Sequence, residues 1–297
     1  MTTAYTFAAS NKRKSWFWLI LFVIFIIGLG YVFAKALDMQ WLLPLAVSIA
    51  IIQSASSYWW SDKIVLAISR AKEVDKKENQ QLYRLVENLS ITAGLPMPKI
   101  YLIDDTAPNA FATGRDPKHA VICVTRGLLE KLDKQELEGV LAHEFSHIGN
   151  YDIRLQTIVV ILVGLVALIS DWFIYLNFFG GDDNNNNWVF VLIGLILALL
   201  SPLVATLIQL AISRKREFLA DASGALMTRN PDGLARALDD ISKDSEPLEV
   251  ANKATAHLYI TNPLKEHEGT SRGKFARFFD THPPIEERVK ALRQMAL

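Results

Sequence analysis

Four stretches of this chain carry almost no charge: 16–34, 41–60, 155 to about 179, and 188–213. Each is long enough to cross a hydrocarbon core of about 30 Å at 1.5 Å per residue. Trp or Tyr near their ends suits the headgroup layer. Asp171 interrupts the third run beside Trp172, which places that carboxylate near an interface and not at mid-bilayer. Buried helices of a large soluble core are the competing reading, and runs beyond about 18 residues disfavour it. Orientation follows from the flanking cations. Lys12, Arg13 and Lys14 precede the first run, Lys63, Arg70 and Lys72 follow the second, Arg154 precedes the third, and Arg214, Lys215 and Arg216 follow the fourth. All four clusters fall on one side, which predicts cytoplasmic termini. Only the loops 35–40 and 180–187 lie on the far side. Ala34-Lys35-Ala36 has the small-x-small form of a signal cleavage site, but the first run is longer than a usual signal core.

The remaining sequence is charged and divides the chain into five parts. These are a cytoplasmic N-terminal tail (1–15), two spans (16–60), a cytoplasmic part with a small sheet (61–154), a hairpin of spans (155–213) and a cytoplasmic helical part (214–297). Apolar periodicity predicts an amphipathic helix over 78–93. β-Branched runs predict strands at 99–103 and 120–125, with a further short one at 109–113 between the turn formers Pro108 and Gly114. Asp133 followed by Glu136 is a capping box, and the helix it opens should reach about Ile148 and close at Gly149-Asn150.

That helix contains His143-Glu144-Phe145-Ser146-His147. Side chains four apart project from one helical face, so two imidazoles can grip one metal ion, with Glu144 bordering the same cleft as a general base. After the fourth run comes Ser213-Arg-Lys-Arg-Glu217-Phe-Leu-Ala-Asp221, where Glu217 and Asp221 again share a face. Two His and one Glu, with a fourth position left for water, is an established catalytic zinc set. Glu217 is therefore the expected third ligand, and Asp221 the acceptor for the free ring N–H of a ligating histidine, expected to be His143. Two spans separate the ligand groups, an even number, so the chain returns to the side it left. A donor for the developing oxyanion should come from His119, His257, His267 or His282. Two His and a carboxylate also suit other divalent ions.

Composition removes several function classes. With 31 basic against 31 acidic residues the formal net charge is +0, which argues against a dedicated nucleic-acid binder. The one cysteine, Cys123, excludes an internal disulfide and a cysteine-based zinc cluster, and its strand-like setting predicts a buried, inert thiol. A mean hydropathy of +0.20 agrees with membrane spans.

These residues resemble the HtpX-type membrane zinc metalloproteases, relatives of the CAAX prenyl endopeptidases. The likeness extends to Asn109-Ala-Phe-Ala-Thr-Gly114, to Ala254-Thr-Ala-His-Leu-Tyr-Ile-Thr-Asn-Pro-Leu264 and to Thr281-His-Pro-Pro-Ile-Glu-Glu-Arg288, and so covers nearly the whole chain. It implies a multi-pass α-helical membrane protein with an α+β gluzincin-like metalloprotease domain, holding one zinc ion per chain. It also implies cleavage of misfolded or membrane-associated proteins at the cytoplasmic face. Within the resemblance, Asn109, Ala110, Phe111 and Ala112 form an exposed edge strand for extended substrates, His282 faces the cleft, and His257 is structural. Other classes remain in view: a prenyl-protein endopeptidase, a membrane scaffold with a vestigial zinc site, or a transporter using Asp171 or Gln209. The filled chemical positions and the small number of spans weigh against the last two.

Overall fold

The computed structural model describes residues 4–36, 38–164, 213–252, 255–264 and 283–295. The 180–187 hairpin tip, the fourth apolar run before Ser213, and the third beyond 164 lie outside the described residues. So do Asp171, Gln209, His267 and His282.

Helix α1 (Ala4–Ala36) runs unbroken for 33 residues, so the stretch before Trp16 continues the first apolar run as helix. Helix α2 (Leu42–Trp59) is long and apolar enough to cross a membrane, and packs against α1. A Cβ on Gly30 would lie 2.1 Å from Ala46 Cβ, so only glycine allows the two backbones to approach this closely. Trp16, Ile20, Ile24, Trp41, Ile51, Ile52 and Trp59 on this pair face outward from the protein. A contiguous apolar surface of that kind belongs against lipid or a partner.

A short α3 (Ser61–Ile68) leads into a four-stranded sheet of β1 (Lys72–Glu73), β2 (Lys99–Ile103), β3 (Ala110–Thr113) and β4 (Val121–Thr125), in spatial order β1-β2-β4-β3. β2 and β4 are parallel, with Tyr101 opposite Cys123, and β3 returns antiparallel with Phe111 opposite Cys123. Both faces are covered. Ala110, Ala112, Ile122 and Val124 point into a core shared with three helices: α4 (Gln80–Ala93), α6 (Lys134–Gly149) and α9 (Pro231–Lys243). Phe111 and Cys123 point the other way, onto Val65, Val160, Leu258 and Tyr259. Burial on both faces explains why β4 reads as a continuous apolar run. Cys123 is fully buried, and burial pushes its thiol pKa upward.

Local chemistry sets the helix ends. Asn79 caps α4 by accepting from the Leu82 N–H, so the helix begins two residues after the expected Glu78, and Gly94 closes it at φ 65°. Asp133 accepts from the Glu136 N–H at 2.9 Å while Glu136 accepts from the Asp133 N–H at 2.9 Å, the reciprocal box expected at the start of α6. A six-residue α5 (Arg126–Lys131) joins β4 to α6. Residues 152–164 form α7, and α8 (Arg214–Thr228) and α10 (Ile285–Arg293) complete the described fold. Gly224 lets α8 lie on α6: a Cβ there would stand 3.0 Å from the His143 amide nitrogen.

Candidate metal centre

Helix α6 delivers His143 and His147 from one face, four residues apart, and α8 crosses it carrying Glu217. All three are buried, at 1%, 5% and 2% exposure. The two Nε2 atoms are 3.1 Å apart, and the nearest Glu217 oxygens are 3.7 Å from His143 Nε2 and 3.6 Å from His147 Nε2. Tetrahedral zinc with bonds of about 2.0–2.1 Å would set its donors about 3.4 Å apart. The donor triangle therefore already has the dimensions of a metal site, and its chemistry, two imidazoles and one carboxylate, fits a borderline divalent cation.

Each imidazole is fixed from behind. His143 Nδ1 lies 2.9 Å from Asp221 Oδ1, and His147 Nδ1 lies 3.0 Å from Asp152 Oδ2, so each Nε2 is turned toward the shared point. Asp221 is itself clamped by Arg288, which is wholly buried. The guanidinium donates through Nε at 2.8 Å and Nη2 at 2.6 Å to the two Asp221 oxygens, and through Nη1 at 3.0 Å to the Ile260 carbonyl. Such a planar two-point pair holds a carboxylate in one orientation. Sequence reasoning placed Asp221 but missed Arg288 and Asp152. Arg288 stands at the end of the His282–Arg288 stretch, where its burial had no local signature. Asp152 sits just past the helix end, beyond the reach of helical periodicity.

Burial and neighbouring charges divide the protons unevenly. Burial disfavours charge on His143 and lowers its pKa to about 4, against the pull of Asp221. Burial also opposes a charged His147, but the Asp152 hydrogen bond and the Glu217 charge outweigh it and raise that pKa to about 9. Burial pushes the Glu144 carboxyl up to about 7. For Asp221, burial works against ionisation, yet Arg288 prevails and holds it near 2. Two rings this close cannot both be charged, and metal binding requires His147 to release its proton.

Glu144 faces the same space, within the electrostatic reach of His147 and Glu217, and the nearby Ala112 backbone N–H of β3 favours its ionised form. That strand is last in the sheet order, but it is not exposed. Asn109, Ala110, Phe111 and Ala112 are all buried, and the Ile260 N–H donates at 2.9 Å to the Ala110 carbonyl on the outer side. The expectation of a solvent-exposed edge is thus corrected, because the 256–260 segment lies along the strand. Asn109 instead ties this region together, with Nδ2 donating at 3.2 Å to the Thr261 carbonyl. Of the other histidines, His119 pairs with Asp116 at 2.7 Å and Arg115 at 2.8 Å, and buried His257 meets the Gln156 carbonyl at 3.2 Å.

Comparison with known proteins places this arrangement. Residues 76–296 match peptidase family M48. The chain is 45% identical over 296 residues to a Protease HtpX homolog of Tropheryma whipplei (strain Twist), covering 98% of each. It is 44% identical over 299 residues to the Protease HtpX homolog of Dictyoglomus turgidum, covering 99% of this chain and 95% of that one. The counterpart in Listeria monocytogenes is 42% identical over 303 residues, covering 97% and 98%. Among solved structures, Ste24p of S. mikatae is 19% identical with a TM-score of 0.49, covering 94% of this chain and 67% of that one. The matched segment takes in every residue of the donor triangle and its supports, and the likeness to the HtpX proteins runs end to end, so this chain belongs to peptidase family M48, among its HtpX-type members.

Proposed function

We propose that the chain is a membrane-bound zinc endopeptidase whose metal is held by His143, His147 and Glu217, with Glu144 as general base. The observation that carries this reading is the donor triangle, with sides of 3.1–3.7 Å and both imidazoles held from behind by carboxylates. A cation bound there supplies Lewis acidity, polarising a peptide carbonyl and making an attacking water more acidic. Glu144 takes the proton of that water on its carboxylate and returns it to the leaving amine. His282 is proposed to donate a hydrogen bond to the oxyanion. It immediately precedes Pro283-Pro284 and the helix α10 that delivers Arg288 to Asp221. A prenyl-protein endopeptidase is the less favoured reading, since the full-length relatives are HtpX proteases.

Polypeptides are the substrates, and misfolded or membrane-associated proteins are the proposed natural ones. An extended substrate adding to β3 meets the 256–260 segment at Ala110, so pairing along the whole strand requires that segment to swing aside. Four spans, cytoplasmic termini and a cytoplasmic site are proposed from the placement of Lys and Arg, and a plasma (inner) membrane from the likeness to the HtpX proteins. Contact between the first turns of α1 and the end of α6 supports a common side for the N-terminus and the metal centre.

Metal analysis of detergent-purified protein, followed by casein digestion with and without chelator, tests the function. Glu144→Gln should retain the metal and lose activity by about a hundredfold or more, because the base is absent while every ligand remains. Wild-type turnover in that variant would sink the mechanism.

A further inference from the structure

The N-terminal stretch before the first apolar run reaches the metal centre. Asn11, buried on α1, donates both protons of its carboxamide, one to Asp152 Oδ1 at 2.7 Å and one to the Asn150 carbonyl at 3.0 Å. The next residue, Lys12, sets its ammonium 3.8 Å from the centroid of the Tyr151 ring. Two consecutive α1 residues therefore grip three consecutive residues, 150–152, that join α6 to α7. The grip falls on a turn that does not hold itself without cost: Tyr151 adopts φ 58°, a left-handed conformation that side chains other than glycine rarely take.

Asp152 is where this contact gains chemical meaning. Its Oδ2 receives His147 Nδ1 at 3.0 Å, and its Oδ1 receives Asn11 and, at 3.4 Å, Nη1 of Arg216, the neighbour of Glu217. One buried carboxylate thus joins α1, α6 and α8. We propose that Asn11 is a positioning residue of the metal centre, acting through Asp152 on the orientation of His147, so that the first membrane helix completes the site as well as anchoring the chain. The inference rests on the metal centre proposed above. A carboxylate behind a ligating imidazole fixes its ring plane and strengthens its donor nitrogen, and whatever orients the carboxylate shares in that effect. Asn11 suits the task because a neutral amide offers two donors in a fixed plane. An aspartate there would repel Asp152, and an aliphatic residue would leave Oδ1 with the longer Arg216 contact in place of the short amide one.

The test uses the full-length chain in detergent and a double-mutant cycle. Zinc affinity is measured by competition with a chromophoric chelator for wild type, Asn11→Ala, Asp152→Ala and the double variant, and unfolding of the metal-free proteins is followed on the same samples. Asp152→Ala should weaken zinc binding by about 10- to 100-fold, and Asn11→Ala by about threefold to tenfold, since its contact is relayed. In the Asp152→Ala background, Asn11→Ala should cause no further loss. Ser15→Ala, one helical turn on, removes a hydroxyl that donates to the Asn11 carbonyl and should leave affinity unchanged. If Asn11→Ala does not yield folded protein, Asn11→Ser, which keeps one donor, takes its place with the same expected pattern. Wild-type affinity in the Asn11 variant overturns the proposal, as does a loss that persists undiminished without Asp152. Failure of the underlying reading looks different: wild type itself would bind no stoichiometric zinc, or His147→Ala would bind it as well as wild type.

Discussion

Glu217 and Asp221 lie one turn apart on α8 and both are carboxylates, yet the structure gives them different neighbours. Glu217 faces the two Nε2 atoms, while Asp221 stands behind His143 and is held by Arg288. Glu217→Ala should therefore abolish stoichiometric zinc, whereas Asp221→Ala should weaken it by about 10- to 100-fold. Metal titration of the two purified variants distinguishes these outcomes, and full zinc in Glu217→Ala would show the third ligand to be another group. His282 is expected to act on the transition state without holding the metal, since a fourth protein ligand would close the position that catalysis needs. His282→Ala should keep its zinc and lose turnover by an amount equivalent to about 2.7–4 kcal/mol, as for other single oxyanion donors. Zinc content and turnover on one sample decide it, unchanged turnover returning His282 to a structural part.

At the scale of elements, the site depends on how closely helices cross. Gly139 sits where α6 meets α9, and a Cβ there would land 2.8 Å from the Leu234 amide nitrogen and 2.9 Å from its Cα. Gly139→Ala gains about 0.8–1.0 kcal/mol in helix propensity. Against that, overpacking typically costs about 1–3 kcal/mol, and here the obstruction is backbone, which cannot rotate out of the way. The second effect should win, lowering Tm by a few degrees, and a thermal melt of the variant showing a gain would mean that α9 slides without penalty. A high-propensity residue is thus absent from the interior of the metal helix for a packing reason that no local rule contains.

For the whole molecule, the arrangement of spans decides whether the ligands can meet. If the 155–213 hairpin crosses and returns, a cysteine placed at Asn185 in a background lacking Cys123 should react with a membrane-impermeant reagent only from the far side. Labelling from the cytoplasmic side alone would remove the topological argument that brings Glu217 to His143 and His147. The apolar face of α1 and α2 and the buried link from Asn11 to Asp152 give this architecture a further consequence, because the anchor and the metal centre share a contact.

Much of the site was legible along the chain. Ligand spacing on a helix depends only on the helical repeat, so His143, Glu144 and His147 could be assigned to one cleft from order alone, and the Asp133–Glu136 box announced the start of their helix. The strands at 99–103 and 120–125 were evident for a similar reason, most plainly at 121–125, where burial of every residue leaves a nearly continuous β-branched run. Residues whose roles depend on distant partners gave no such sign. Arg288 is one of two arginines in a charged helix until the fold sets it against Asp221, and a fully buried guanidinium is tolerated only because that carboxylate is there. Asp152 and Asn11 are ordinary polar residues in sequence, separated by 141 positions, and only the crossing of α1 over the end of α6 joins them. The edge strand shows the same division: the turn formers Pro108 and Gly114 that bound it are local and legible, while the segment from Ala256 to Ile260 that covers it arrives from the far end of the chain. Periodicity and capping act over one or two turns and are written in order along the sequence. Which buried charge meets which is decided by desolvation, and that is settled only when every element has closed on the core.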